Sequence, residues 1–263
     1  MMRTGTVLLL VGLLLLVWSR PTSPPPTSPD VLRVGTANLS AQNAHPREAS
    51  RVLAEVNADV LLLQEWTGQN LPPSAFPQSE LQVVLSDARR GTHGAALLAK
   101  PSIVEAARVV SPPWDGPCAM PIVTARIRVG NEVAGLLGVH GPPPVPACWS
   151  SRDPYLQSVS DLVENGRTAQ RLGVLSPGLP ALLLGDLNVL GWELGVLHES
   201  GLSDAFDRGS WRLGPTWTPH AWLPALARID HLWVSSRRPI DGAWTVALPG
   251  SDHRALLADL EKR

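Results

Sequence analysis

The sequence has few cysteines, little charge and almost no tyrosine or phenylalanine. Its 263 residues contain only two cysteines, so the chain has no cysteine pattern of the kind that holds structural zinc. Lysine and arginine number 22 against 23 acidic residues, which provides no overall basic field for non-specific nucleic-acid binding. Charged residues make up 17% and apolar residues 44% of the chain, so it can bury a large core and has no signature of disorder.

A hydrophobic run that would comfortably cross a bilayer is also missing. The apolar run at residues 7–18 lies between Arg3 and Arg20 and falls short of the ~20 residues of a spanning helix, but it has the length of a signal-peptide core. No Ala-x-Ala cleavage pattern and no cysteine for lipid attachment follow, so a cleaved signal and an uncleaved anchor both stay open. We expect a signal peptide or signal anchor at residues 1–20, a Pro-rich linker at 21–30, and one membrane-anchored or secreted, extracytoplasmic domain at 31–263.

The two cysteines fit a compartment outside the cytoplasm. Gly130-Asn131 is a hairpin turn signal between predicted strands at residues 122–129 and 133–140. Antiparallel pairing about this turn brings the segments beyond the hairpin together, and with them Cys118 and Cys148. We therefore predict a disulfide between them, with two unpaired buried thiols as the alternative.

Apolar patterns predict many short strands and few helices. Helical spacing begins at Pro46, and a second helix starts near Leu156 and continues toward Gly173. Strands are predicted at residues 32–37, 60–63, 82–85, 95–98, 122–129, 133–139, 181–184, 229–234 and 255–260. Many strands with few helices favour two packed sheets covered by helices over a plain parallel sheet.

Polar residues suited to chemistry stand at the ends of these strands. Each one alone has an ordinary alternative as a turn, cap or surface residue. Their order and their placement on strand-end loops predict one convergent site. The set comprises Asn38, Glu65, His140, Asp186, Asn188, Asp230, Asp252 and His253.

Asn38 follows the first predicted strand, and the others lie in the stretches LLLQEW, GVHGPPP, GDLN, RIDHLWV and GSDH. Through these motifs residues 31–263 resemble the endonuclease/exonuclease/phosphatase superfamily. The stretches GTHGAALLAKP and GPTWTP resemble the family as well. The run GDLNVLGWELGVLHESGLSDAF is most similar to membrane-associated bacterial members. The resemblance implies a catalytic domain with a DNase I-like α/β (α+β) fold, a four-layer sandwich of two packed mixed β-sheets flanked by helices.

The resemblance also implies hydrolysis of a phosphodiester by in-line attack of water, with Mg²⁺ or Mn²⁺ as cofactor. Hard carboxylate and amide oxygens suit these ions. On this basis Glu65 is the principal metal ligand, and Asn38 and Asp252 lie nearby.

The remaining site residues are expected to handle protons and the phosphate. Asp186 would orient or deprotonate the attacking water, and Asn188 would donate to a phosphoryl oxygen. His253 paired with Asp230, together with His140, would hold the phosphate and assist proton transfer.

The chain departs from the family pattern in two places. Abasic-site nucleases carry a tyrosine in the phosphate site, whereas this chain has only Tyr155, at the start of a predicted helix, and offers His140 instead. That choice is more similar to secreted DNases and sphingomyelinases. The proline that usually follows the Asp-x-Asn motif is replaced by Leu190-Gly191, so we expect a differently shaped loop.

Ten tryptophans, several of them near the motif-bearing loops, bear on the substrate. Tryptophan favours boundaries between apolar and wet surroundings, so a rim including Trp192 would suit a lipid head group or stacked bases, with core packing as the alternative. A phospholipid or other small phosphoester is the preferred substrate, followed by DNA or RNA, and a catalytically silent membrane-displayed binding domain is the third hypothesis. We expect a monomer that meets the membrane through its N-terminal segment.

Overall fold

Two mixed sheets of six strands form the framework of the computed structural model, which describes residues 20–70, 80–111, 118–164, 181–210, 214–220 and 223–262. The first sheet contains, in spatial order, Ile240–Ala247 (β11), Arg254–Glu261 (β12), Val31–Asn38 (β1), Val60–Gln64 (β2), Ala95–Ala99 (β4) and Gln82–Asp87 (β3). The second contains Val104–Val110 (β5), Ile122–Val129 (β6), Glu132–His140 (β7), Ala181–Asp186 (β8), Asp230–Ser235 (β10) and Leu202–Asp204 (β9). The helices are Pro46–Glu55 (α1), Trp149–Glu164 (α2), Gly195–Glu199 (α3) and Ala205–Gly209 (α4).

Both sheets follow the same plan, with one parallel pair at the centre. β1 pairs with β2 in parallel, and β7 pairs with β8 in parallel, whereas the other neighbours are antiparallel. A parallel pair needs a crossover connection, and the two crossovers contain α1 and α2. The central strands therefore present their carboxyl ends at one end of each sheet.

Alternating side chains divide the core into layers. Leu32 and Leu62 of the first sheet meet Leu136 and Leu184 of the second between the sheets. The opposite faces pack outward against the helices: Leu61 and Leu63 meet Leu53 of α1, while Leu137 and Leu183 meet Val159 of α2. The predicted four-layer sandwich is thereby confirmed.

Three strands escaped the sequence prediction. β5 and β11 each contain a register irregularity, between Val104 and Ala106 and between Ile240 and Gly242, which breaks the regular alternation. β9 is only three residues long. The prediction that strands 229–234 and 255–260 follow each other is wrong, because β11 lies between them in the chain.

The Pro-rich segment, residues 21–30, lies against the first sheet. Its Thr22 amide donates to the Thr245 carbonyl at 2.8 Å, and its Asp30 carbonyl accepts from the Lys262 amide at 2.8 Å. Within the described residues no helix is long and apolar enough to cross a membrane. The predicted signal segment before Arg20, and the predicted extension of α2 beyond Glu164, lie outside the described residues.

Candidate active site

Strand register places three predicted residues side by side at the end of the second sheet. His140 is the partner of Asp186 across the parallel pair, and Asp186 is the partner of Asp230 across the next pair. Gly185 permits this close packing: its φ is +149°, and a Cβ there would lie 1.8 Å from the Val139 carbonyl oxygen. The glycine of GDLN is therefore required by the backbone.

Asp186 is the centre of the site. Its Oδ2 accepts a hydrogen bond from Asn38 Nδ2 at 3.0 Å, which joins the two sheets, and its Oδ1 accepts from the Asn188 amide at 2.8 Å. The Nε2 atoms of His140 and His253 approach Oδ2 to 3.7 and 3.8 Å. The side chain is 1% exposed, and burial raises the pKa of Asp186, although the two imidazoles and the Asn38 amide oppose that effect.

His253 and Asp230 form the predicted pair. His253 Nδ1 lies 2.8 Å from Asp230 Oδ2, so the ring presents Nε2 toward Asp186. Burial by itself would lower the pKa of His253, but the carboxylates of Asp230 and Asp186 outweigh it and raise the pKa to about 10. The ring is thus protonated at neutral pH, a buried cation beside the carboxyl groups of Asp230 and Asp186.

His140 differs from His253 in charge. Burial lowers its pKa, and the nearby Asp186 only partly opposes this, so the ring is neutral at pH 7. Its Nδ1 is buried and has no hydrogen-bond partner among the residues that the structure describes. Its backbone amide donates to the Tyr155 hydroxyl at 3.0 Å, so the tyrosine of α2 holds the end of β7 in place.

Glu65 and Asn38 lie at the end of the first sheet's parallel pair. Glu65 has φ of +56°, a left-handed conformation that is unfavourable for a residue with a Cβ. Its Oε2 accepts from the Ala41 amide at 2.7 Å and its Oε1 from Asn38 Nδ2 at 3.2 Å. Asn70 fixes the backbone here, because its Nδ2 donates to the Glu65 and Ser40 carbonyls at 2.7 and 3.2 Å.

Asn188 lies on the loop after β8 and is also left-handed, with φ of +54°. Its Nδ2 donates to the Gly141 carbonyl at 2.9 Å, and its own carbonyl accepts from Arg152 of α2 at 3.0 Å. The structure therefore places Asn188 beside Asp186, where it lines a cavity of about 360 Å³ together with Trp217.

The other predicted positions lie further from this centre. Asp252 is exposed, and its Oδ2 accepts from the Trp217 indole at 3.1 Å, so its role as a metal ligand stays a prediction. The backbone of Trp192 lies in a 3-10 turn at Gly191–Leu194, and its side chain is outside the described residues. Cys118 and Cys148 are joined by a disulfide with Cα atoms 5.6 Å apart.

Sequence reasoning missed the residues that hold the site residues in place. Thr216 Oγ1 accepts from the Asp230 amide at 3.1 Å, and Ser251 Oγ donates to the Asn38 carbonyl at 2.7 Å. Thr216 belongs to the stretch GPTWTP and Ser251 to GSDH, so the motifs contained both without assigning them. Asn70, Arg152 and Tyr155 have no local signal, because only the folded chain brings them to their partners.

Comparisons with known proteins agree with the fold. The model of the Endonuclease/Exonuclease/phosphatase family matches residues 35–253. Truncated TDP2 from Caenorhabditis elegans is 20% identical, covering 88% of this chain and 97% of its own, with a TM-score of 0.68. The 3' phosphatase NExo from Neisseria, bound to a product DNA hairpin, is 15% identical, covering 88% and 99%, with a TM-score of 0.69. An endonuclease/exonuclease/phosphatase family protein from Bacteroides thetaiotaomicron is 16% identical, covering 89% and 98%, with a TM-score of 0.66. No curated protein matches the chain significantly.

Proposed function

The chain belongs to the endonuclease/exonuclease/phosphatase family, and we propose that it is a divalent-metal-dependent phosphodiesterase that uses water as the nucleophile. The observation that carries this proposal is the set of contacts around Asp186: one oxygen is held by the Asn188 amide and the other faces Asn38 and two imidazoles. This arrangement combines a base, a cation and amide donors around one point.

Asp186 is the proposed base. Its raised pKa brings the carboxylate closer to the range in which a base accepts a proton from water at neutral pH. His253 supplies a positive charge, and its Nε2 is oriented by the bond between Nδ1 and Asp230. The charged ring would stabilise negative charge on a phosphoryl oxygen, and neutral His140 can donate a hydrogen bond without that charge.

The donor set near Glu65 fits Mg²⁺ or Mn²⁺. The carboxylate is fixed by the Ala41 amide and the Asn38 amide group, and oxygen ligands of this kind suit hard cations. When bound there, the ion would neutralise phosphoryl charge and favour ionisation of water. Asp186, Asp230 and His253 also have one ligand-type atom each within 4.8 Å of one another, but we assign them to proton chemistry because His253 Nδ1 is engaged with Asp230 and the ring is charged.

The preferred substrate is a phospholipid or another small phosphodiester. The second candidate is a nucleic acid, and one observation favours it: two arginines lie close in the fold to Glu65. The backbone amide of Arg89 donates to the carbonyl of Trp66, which follows Glu65 in the chain, and Arg90 comes next and is exposed. The DNA product of the Neisseria protein agrees with that candidate.

The test is hydrolysis by the purified full chain with Mg²⁺, with Mn²⁺ or with chelator, on plasmid DNA, sphingomyelin, phosphatidylinositol and a bis-aryl phosphodiester. We expect metal-dependent cleavage that is lost in His253→Ala. His45→Ala is the matched control, because His45 is exposed and its side chain makes no capping hydrogen bond at α1. Cleavage that survives in His253→Ala, or no metal-dependent cleavage of any substrate, would contradict the proposal, and the second result would favour the silent binding domain.

A further inference from the structure

Three large apolar side chains are exposed in the described part of the chain: Val145, Trp149 and Leu226, at 44%, 60% and 62%. Single exposed apolar residues are ordinary on a protein surface. These three, however, all lie near the catalytic end of the sandwich. Val145 follows the end of β7, Trp149 begins α2, and Leu226 precedes the start of β10. We call them the apolar rim.

The apolar rim lies next to the cavity beside Asn188 in the chain. Val145 and Leu226 are the chain neighbours of two lining residues, Pro144 and Ala227, and Trp149 lies one helical turn before a third, Arg152. Most of the remaining lining is apolar, and includes Leu190, Trp217 and Ile229. The cavity therefore lies between Asn188, the proposed donor to a phosphoryl oxygen, and the chain segments that carry the exposed apolar side chains.

The Pro-rich segment returns the chain to this same end. Asp30 is held beside Lys262, at the end of β12 that is remote from the site. Thr22 is held beside Thr245, which is the partner of Leu256 in β12. Leu256 is three residues from His253, or about 10 Å along a strand. The segment thus runs back along the domain toward the catalytic end.

This placement constrains the apolar run at residues 7–18. Thr22 lies four residues after the end of that run, and a chain of that length spans at most about 14 Å. A membrane that held the run would therefore lie close to the edge of the domain where the site is. The position of Thr22 and the position of the apolar rim are independent observations, and both lead to this end.

We propose that the catalytic end of the domain is a membrane-docking face: Val145, Trp149 and Leu226 enter a phospholipid bilayer, and the cavity takes the apolar part of a phosphodiester drawn from it. The docking rests on the apolar rim and the Pro-rich segment, whereas the role of the cavity rests also on the proposed function. Tryptophan and aliphatic side chains beside polar groups suit the interface of a bilayer.

Charge favours lipid over nucleic acid at this surface. Among the described residues that line the cavity, Arg152 is the one cation. Its guanidinium already donates to the Asn188 carbonyl and the Glu193 carboxylate. Nucleic-acid binding depends on several cations that contact phosphates. The rim residues themselves offer only apolar surface and one indole.

The first test measures contact with lipid without turnover. The full-length Leu226→Cys variant is labelled at the new cysteine with an environment-sensitive dye and mixed with phosphatidylcholine vesicles, with and without phosphatidylglycerol. Lipids with spin-labelled acyl chains serve as quenchers of the dye. We expect a blue shift and strong quenching. Asn131→Cys is the control, because its hairpin precedes β7 and so lies about 30 Å from the catalytic end. A dye at Leu226 that is quenched no more than the one at Asn131 overturns the proposal. A blue shift of the dye that requires DNA also overturns the proposal. So does a blue shift in detergent without vesicles that increases with protein concentration, because that would indicate contact with a second copy of the chain.

The second test separates docking from chemistry. Trp149→Ser and Leu226→Ser should each reduce hydrolysis of a bilayer phosphodiester by about tenfold, because each variant loses an apolar side chain that the docked protein would bury in the bilayer. Turnover of a soluble bis-aryl phosphodiester should stay unchanged. Equal loss on both substrates contradicts the docking role. Leu226→Cys combined with Asp186→Ala should still give the lipid-dependent shift, so a failure of the proposed function would be distinguishable from a failure of docking.

Discussion

The two sheets share one topology but present different chemistry at their ends. In each sheet the central parallel pair carries the site residues: Asn38 ends β1 and Glu65 follows β2, whereas His140 and Asp186 end β7 and β8. Glu65 is partly exposed and fixed by amides, which suits a cation. The second sheet's groups are buried and have shifted pKa values, which suits proton transfer.

The two ends are also held in place differently. On the first sheet, loop side chains do this work, since Asn70 binds the Glu65 carbonyl and Ser251 binds the Asn38 carbonyl. On the second, helix α2 reaches over the strand ends through Tyr155 and Arg152. We therefore expect that the proposed metal binding and the proposed proton chemistry can be impaired separately.

The largest effect is expected from Asp186→Asn. The amide keeps the shape of the side chain but cannot accept the proton, so kcat should fall by about 10³-fold, within the range for loss of an acid-base group. Metal affinity should change much less. Steady-state kinetics at saturating metal measures the first quantity, and calorimetric titration with Mn²⁺ measures the second. Asp241→Asn, at an exposed position of β11, is the matched control. A loss of activity below tenfold in Asp186→Asn would remove the assignment.

Glu65→Gln should affect the other side of the comparison. Removing the carboxylate charge should weaken metal binding by at least about 10²-fold, because the loss of a residue that only supports a ligand already costs up to that much, and excess metal should restore part of the activity. Activity measured against Mg²⁺ concentration shows this as a shift of the midpoint. Glu55→Gln, on the exposed face of α1, should leave the midpoint unchanged. If Glu65→Gln lowers the activity at saturating Mg²⁺ but leaves the midpoint Mg²⁺ concentration unchanged, Glu65 acts in the hydrolysis step and not in metal binding.

Asp230→Asn tests the charge on His253. Burial, which lowers the pKa, remains, while the carboxylate that raises it to about 10 is lost, so the pKa should fall. Because the pKa of His253 is higher in the folded chain than in the unfolded one, protonation of its ring stabilises the fold. This contribution is fully present at a pH below the unfolded pKa of ~6.5, and it is lost as pH rises through about 10. In the variant it should be lost at lower pH. NMR titration of the imidazole and unfolding against pH measure both quantities, with Asp241→Asn as reference. An unchanged His253 titration would mean that Asp230 does not hold the charge.

Much of this site could be predicted because strand ends carry local signals. GDLN follows an unbroken apolar strand, and RID and GSDH adjoin two more, so Asp186, Asp230 and His253 stand out in the sequence. The supporting contacts could not be predicted, since the Tyr155 hydroxyl meets the amide of His140 only after α2 packs on the sheet. β11 was missed for a related reason: its Gly242 and its register irregularity hide the alternation that marks an edge strand.

Asn70→Ala probes how the first sheet's end is held. The loss of two hydrogen bonds to the Glu65 and Ser40 carbonyls should loosen the left-handed backbone at Glu65 and weaken metal binding by about tenfold. kcat at saturating metal should change little. Calorimetric titration with Mn²⁺ measures the affinity, and Gln157→Ala on the exposed side of α2 is the control. An equal fall in kcat at saturating metal would show that the two ends are coupled.

Tyr155→Phe is the counterpart on the second sheet and should give the smallest change in activity. The phenyl ring keeps its packing in the core, but the buried His140 amide loses its acceptor, which should cost about 1–3 kcal/mol of unfolding free energy. Because the imidazole of His140 keeps its own contacts, kcat should fall only a few-fold and metal affinity should not change. Denaturant unfolding and kinetics at saturating metal measure these quantities, with Ser158→Ala on α2 as a matched hydroxyl deletion. If Tyr155→Phe weakens metal binding as much as Asn70→Ala does, the two sheet ends do not act separately, and the division between a cation side and a proton side is wrong.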